Sequence, residues 1–492
     1  MKRFVAICLA LFPLICQAQG WKLDYDASVR LAGSTGQYMP FWARTGDFGI
    51  LPVSGSGLVT AGLSVDYASG NGFFFEAGAD VACAVAADNP LMARRAEVFP
   101  DRLYVSGGWK MLHMDLGMKP RLQDLPLGRL SVTGGNFMLS GNARSFPGIN
   151  LWSDWIYFEK GHWVGIKGNI AHYQMVDYRY VRNALLHNKS VALKIALGRK
   201  VDLSGGFEHW AQWGGNSPVY GDQPEGLRNF IKVFFAQKGG NGATLSDQIN
   251  VLGNHLGREW FCIDWRAGDF TMSFQYDKPF EDTSGMQFRN FPDGVWSLKF
   301  SFADRDAFVT DLVAEFINTT WQTGPLHDRP ATEEEKAEQD PDDYYYGKIV
   351  LGGCDNYFAN GEYASGWTYY GRVIGLPLIL PDAPGEDGII RDFASTRLRS
   401  WHLGLGGVAF SKIPYMLKAT FSSNWGKYHD TRFSTKPWQL SMGLDLEFGK
   451  RMMNLPVRFV AGIYGDVGQV YRNSAGLTFK VIYSGSHSFG TR

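Results

Sequence analysis

Apolar and polar residues alternate one by one along most of this chain, in runs of roughly ten residues. Across 59–67, Val59, Ala61, Leu63, Val65 and Tyr67 share one face, and Thr60, Gly62, Ser64 and Asp66 share the other. The next run sets Phe73, Phe75, Ala77, Ala79, Val81 and Val85 against Glu76 and Asp80. Phe270, Met272, Phe274 and Tyr276 alternate with Thr271, Ser273, Gln275 and Asp277. Trp438, Leu440, Met442, Leu444, Leu446 and Phe448 alternate with Gln439, Ser441, Gly443, Asp445 and Glu447. A period of two is strand geometry, because successive side chains point to opposite faces. A soluble sandwich would normally place charges, not Leu and Met, on its solvent face. These runs instead suit hydrocarbon on one side and a polar lumen on the other, with run-end aromatics forming interfacial belts.

Connections alternate in length. Tight turns are expected at 69–72, 106–109, 198–201, 266–269, 303–306 and 411–414. Long links fall at 32–56, 87–100, 173–188, 214–257, 277–294, 320–397 and 424–437. Counted up and down from one side, every long link lands at the same end, and the chain returns to its starting side. The expectation is an all-β, transmembrane antiparallel barrel of about 18 strands in a bacterial outer membrane, with long loops outside.

The beginning of the chain fits export. Met1-Lys2-Arg3 is a positive n-region, Phe4 to Ile15 an apolar stretch, and Cys16-Gln17-Ala18 a small-residue cleavage site. A signal peptide over 1–18 would leave 19–492 as one barrel domain. Pro13-Leu14-Ile15 lacks the small residues that would make Cys16 a lipid anchor. No later run approaches the ~20 apolar residues of a spanning helix. Aromatics at 15% and 59 glycines suit belts and turns, and 48 basic against 48 acidic residues gives no reason to expect nucleic acid. Cys83, Cys262 and Cys354 are far apart, odd in number and without metal spacing.

Two long links carry patterns of their own. In the first, Asp222 and Glu225 frame Pro224 as a helix start; Leu227, Phe230, Ile231 and Phe234 keep helical spacing, and Gly239-Gly240 stops it. With a second short helix from Ser246 to Leu252, the insert at about 222–253 would bury its stripe against the barrel mouth or wall and occlude it. In the second link, Asp328 to Asp343 holds eight acids and two bases. Such a run is usually a solvated face, and Asp340, Asp342 and Asp343 match no EF-hand spacing.

Catalytic signatures are missing: there is no Gly-x-Ser-x-Gly elbow, His-Glu-x-x-His, P-loop or dinucleotide glycine pattern. Glu281-Asp282 with Asp293 could pair as in a glycosidase, but adjacent loop acids more often cap turns. Neither an enzyme nor a cofactor is expected.

Longer segments resemble the Wzi-type capsule-assembly outer-membrane proteins, in particular their Bacteroidetes branch. The blocks are Ser140-Gly141-Asn142-Ala143-Arg144-Ser145-Phe146-Pro147, with Ser145 where the family tends to have proline; Leu186-His187-Asn188-Lys189-Ser190; and Gly253-Asn254-His255-Leu256-Gly257. They continue at Lys278-Pro279-Phe280-Glu281-Asp282-Thr283-Ser284-Gly285, Pro292-Asp293-Gly294-Val295-Trp296 and Asn318-Thr319-Thr320-Trp321-Gln322. Asp355-Asn356-Tyr357-Phe358 and Gly366-Trp367-Thr368-Tyr369 complete the set. The resemblance implies a barrel occluded by helices on its periplasmic side that holds capsular polysaccharide non-catalytically at the cell surface. Its partners would be that polysaccharide, outer-membrane lipid and the barrel-assembly machinery. A porin or solute channel is the alternative, and an outer-membrane hydrolase a second. Sugars stack on aromatic rings and accept hydrogen bonds from planar polar groups, so Tyr344, Tyr345, Tyr346, Asn356, Trp367, Tyr369 and Arg372 are candidate glycan contacts. Trp367 and Tyr369 could instead pin their own loop to the rim. Arg144 and Arg179 could satisfy lumen carboxylates such as Glu76 and Asp80.

Overall fold

The computed structural model describes residues 20–87, 96–158, 161–240, 242–249, 251–327, 329–338, 349–350, 353–449 and 456–489. The leader expected at 1–18 lies outside these residues, as do Asp340, Asp342, Asp343, Tyr344, Tyr345 and Tyr346.

Antiparallel strands close into one eighteen-stranded barrel. The first six are β1 (Trp21–Ser34), β2 (Ser56–Ala68), β3 (Phe73–Ala86), β4 (Ala96–Trp109), β5 (Leu112–Met118) and β6 (Pro147–Ser153, resuming at Ile156–Tyr157). The next six are β7 (Val164–Gln174), β8 (Leu185–Leu197), β9 (Val201–Trp213), β10 (Asn254–Ala267), β11 (Phe270–Phe280) and β12 (Gly294–Phe302). The last are β13 (Asp311–Asn318), β14 (Arg397–Ala409), β15 (Ile413–Gly426), β16 (Trp438–Phe448), β17 (Val457–Gly468) and β18 (Ser474–Phe489). Each pairs with its sequence neighbours, and β1 seals the ring on β18 from Trp21 opposite Phe489 to Ser34 opposite Gly476. Closure removes the unpaired edge that hydrocarbon would not tolerate.

The alternation assigns faces as expected. On β8, Val191, Leu193, Ile195 and Leu197 are exposed outward, while Asn188 and Ala192 are buried toward the lumen. Outward rings meet across strands at both ends. Trp21 lies 5.0 Å from Tyr67 at the turn end, and Phe316 lies 5.0 Å from Trp401 toward the loop end.

Short connections close the turn end at 69–72, 198–200, 268–269, 303–310 and 410–412. The turn expected at 106–109 falls instead at Lys110-Met111, because Gly107 and Gly108 stay in β4. A Cβ on Gly108 would sit 2.1 Å from the Leu112 carbonyl oxygen and 2.5 Å from the Phe74 ring, so glycine here serves packing, and Lys110 takes the left-handed φ of 53°. β18 runs on past Tyr483 to Phe489. All links longer than eight residues leave from the other end, as the counting requires. One of them, 119–146, was not among the links expected from the pattern.

Candidate functional site

Three loop-end links fold down into the lumen: 35–55, 119–146 and the 353–396 part of the link after β13. They are joined by backbone. Ser140 N–H donates to the Ile374 oxygen (3.0 Å) and Leu376 N–H to that of Phe137 (3.1 Å). The Asn142 amide donates to Val373 (2.9 Å), and Phe48 N–H to Gly141 (2.7 Å). Gly375 allows the closest approach, since a Cβ there would lie 2.1 Å from the Phe137 oxygen. Around this joint Phe137, Tyr357, Phe358, Trp367, Tyr369 and Phe393 form one buried core inside the barrel.

Inward polar residues of the wall anchor 119–146. Arg258 on β10 donates through Nε to Glu208 of β9 and through Nη1 to Asp277 of β11, both at 2.8 Å. The same three residues grip the loop: Arg258 donates to the Gly135 oxygen (3.1 Å), Asp277 accepts from Phe137 N–H (2.8 Å), and Glu208 accepts from the Asn136 amide (3.2 Å). On β13, Glu315 accepts from Ser131 Oγ (2.6 Å) and Val132 N–H (2.8 Å). His402 on β14 reaches the Leu130 oxygen at 2.7 Å. On the remaining side, Trp42 Nε1 donates to Thr420 of β15 (3.0 Å) and Phe41 N–H to Asp466 of β17 (2.9 Å). The three loops therefore reach the wall on several sides. A polar cavity of about 410 Å³ remains beneath 119–146, lined by Trp155, Trp260, Lys167, Lys194, Asp264 and Lys299 among others.

Buried carboxyls cluster where the last insert leaves the mouth. Glu281 accepts from Asn356 N–H (2.9 Å), Asp355 from Thr323 Oγ1 (2.7 Å), and Asp293 from the N–H groups of Trp321 (3.1 Å) and Gln322 (2.7 Å). Burial pushes Asp293 up to about 7. Burial and the charge of Asp282 push Asp355 up to about 7, and burial beside Asp355 holds Glu281 well above the carboxylate range. Carboxyls raised in this way bind protons better folded than unfolded, so stability falls as pH rises from about 4 to about 7. Hydrogen exchange in 281–293 and 353–358, corrected for intrinsic rate, is expected to be faster at pH 8 than at pH 5. Asp355→Asn should flatten that difference; a profile that stays level in the parent protein would contradict it.

The candidate glycan contacts separate. Trp367 and Tyr369 are 1% and 0% exposed, with Tyr369 4.6 Å from Phe146 in the core, so neither ring face is open to a sugar. They pin the insert inside the lumen, deeper than a rim contact. Arg372 is buried too, donating to the Leu51 oxygen (2.9 Å); burial, with Arg44 and Arg144 nearby, lowers it to about 9. The Asn356 side chain accepts from Thr396 Oγ1 (2.8 Å). Glu76 and Asp80 do point into the lumen, but Lys119 and Tyr104 satisfy the first and Arg102 the second. Arg144 lies 3.6 Å from Glu97, and Arg179 donates to the Thr368 and Gly366 oxygens. Cys83, Cys262 and Cys354 are unpaired. The Glu208–Arg258–Asp277 group was missed, although each residue sits at the inward parity of its run.

The expected helix forms at Leu227–Phe234, with a second at Leu245–Ile249. Phe230 packs on His172, His187 and Trp213. All three stand at outward positions of β7, β8 and β9, so the helix covers the outside of the wall below the rim. The lumen is filled by the three loops, on the side opposite the termini.

No family profile matches the chain, and no curated protein sequence matches it. Solved structures do match in fold. Wzi, an Escherichia coli outer-membrane protein involved in group 1 capsule assembly and described as a carbohydrate-binding β-barrel, aligns at TM-score 0.52 and 14% identity over 99% of this chain and 88% of its own. OccK3 (OpdO) of Pseudomonas aeruginosa aligns at 0.48 and 9%, covering 95% and 96%, and OccAB4 of Acinetobacter baumannii at 0.46 and 10%, covering 96% and 99%. The likeness to Wzi is one of fold, that of an outer-membrane barrel.

Proposed function

We propose that this chain is a non-catalytic outer-membrane barrel that binds and attaches capsular or exopolysaccharide at the cell surface. The observation that carries the reading is the packing of the lumen by 35–55, 119–146 and 353–396, joined to one another and to the wall. A barrel filled in this way presents a surface rather than a conduit. The family-like blocks at 140–147, 278–285 and 292–296 support it, because they build the joint between inserts and the mouth carboxyl cluster. The fold likeness to a carbohydrate-binding barrel adds to it. Contact would come from exposed Tyr178 and Trp321 at the loop end, and from Tyr344, Tyr345 and Tyr346 of the acidic run.

Deleting the protein is expected to release polysaccharide into the medium, and purified barrel to retain that polysaccharide in a pull-down that Tyr345→Ala weakens. A deletion strain with a normal capsule and altered nutrient uptake would overturn the proposal. The second reading is a solute channel, favoured by the polar cavity under 119–146. Steady open-channel current from the purified protein in planar bilayers would support it over attachment.

A further inference from the structure

The outward face of β13–β16 carries a second feature near the loop end. Pairing aligns Phe316, Trp401 and Phe421 as one row across β13, β14 and β15. The next outward row, two residues or about 7 Å nearer the rim, is Asn318, Arg399, Ser423 and Trp438. Arg399 therefore stands directly above an aromatic belt, at the depth where acyl chains give way to headgroups. Its guanidinium carbon lies 5.0 Å from the Trp425 ring, and Lys436 Nζ lies 3.9 Å from the same ring. Beside them Arg397 lies 3.6 Å over Tyr428.

These cations are not part of the rim's ion pairs. Asp382 and Asp430 are held by Arg432, and Asp392 by Lys427. Among the described residues no carboxylate forms an ion pair with Arg397, Arg399 or Lys436. Arg399 is held through Nε by the Asn318 amide oxygen (3.1 Å), and Arg397 through Nε by the Thr320 oxygen (2.9 Å). Arginine held at Nε still presents its terminal nitrogens, whose planar fork matches phosphate oxygens.

We infer that Arg399 and Lys436, flanking Trp425 and assisted by Arg397, form a docking surface for the phosphate of an outer-leaflet lipid headgroup. Two things select this occupant. The patch has an excess of positive charge whose three cations form no ion pair among the described residues, with buried Asp293 in electrostatic reach of Arg397. It continues upward from the lipid-facing belt, so acyl chains lie against Trp401 and Phe421 while the headgroup meets the cations. An anionic sugar chain outside the cell would have no reason to sit against that belt.

The test is native mass spectrometry of the detergent-purified full chain with diphosphoryl lipid A or its dephosphorylated form. The parent protein is expected to retain the diphosphoryl lipid, with Arg399→Gln/Lys436→Gln binding about tenfold more weakly. Dephosphorylated lipid should bind the parent as weakly as phosphorylated lipid binds the double variant. Arg266→Gln, which removes a cation at the opposite rim, should change nothing. Unchanged binding by the double variant, or equal retention of both lipids, overturns the inference. So does a double variant that keeps the lipid but loses polysaccharide. Heat-modifiable migration identical to the parent shows that the variant is folded.

Discussion

Arg258→Ala is expected to cost about 3–5 kcal/mol of folded stability and to loosen the loop that fills the barrel. Glu208, Arg258 and Asp277 are each under 10% exposed, and the arginine is the only ion-pair partner of either acid among the described residues. Its removal leaves two buried carboxylates facing one another, and the uncompensated charge accounts for most of the cost. The same residues hold Gly135, Asn136 and Phe137, so the loop loses its anchor on the β9–β11 side. The denaturant midpoint in detergent should drop, and planar-bilayer current should appear in the variant and not in the parent. Arg258→Lys should rescue only partly, since an ammonium cannot reproduce the rigid fork. A variant with parental stability and an electrically silent barrel would show that the loop is held by its apolar contacts alone.

Leu193→Arg is the second large effect. Leu193 points outward from β8 and is 55% exposed on the protein, which in a membrane means exposed to acyl chains. A guanidinium near the bilayer midplane costs about 2–4 kcal/mol in a barrel. Its neighbour Lys194 already carries a charge, but inward, with Nζ 4.8 Å from the Trp155 ring and 3.9 Å from Asp202. Lys194→Leu should therefore change folding into lipid vesicles far less than Leu193→Arg does. Equal penalties at the two positions, or a parent protein that stays a compact monomer without detergent, would remove the membrane face from which every outward assignment here follows.

Much of the barrel was legible because its rule is local. A strand in hydrocarbon must alternate, so Val59 to Tyr67, Phe270 to Tyr276 and Trp438 to Phe448 declare both their conformation and their faces. The link lengths then gave the strand number and the side on which loops cluster. The turn near 106–109 was misplaced because glycine has two uses. Gly107 and Gly108 read as a turn, whereas both lie in β4, where Gly108 makes room for the Phe74 ring and the Leu112 carbonyl.

The filling of the lumen was not legible in the same way. Segment 119–146 has little regular structure beyond two single 3₁₀ turns, and what shapes it is reciprocal: Glu315, Asp277 and His402 lie far away in sequence. For Trp367 and Tyr369 the sequence leaves both sugar contact and loop pinning open, because buried and sugar-facing aromatics have the same composition; only the position of their loop separates the two. The amphipathic helix at Leu227–Phe234 was visible from its spacing, but an apolar stripe fits the inside of a mouth and the outside of a wall equally well. By itself the sequence determined the barrel, its face assignments and the end that bears the long loops, since these follow from one-residue alternation against a nonpolar solvent. Only the tertiary structure decided which loops turn inward and which rings are buried, because those choices rest on contacts between residues that meet only after the ring has closed.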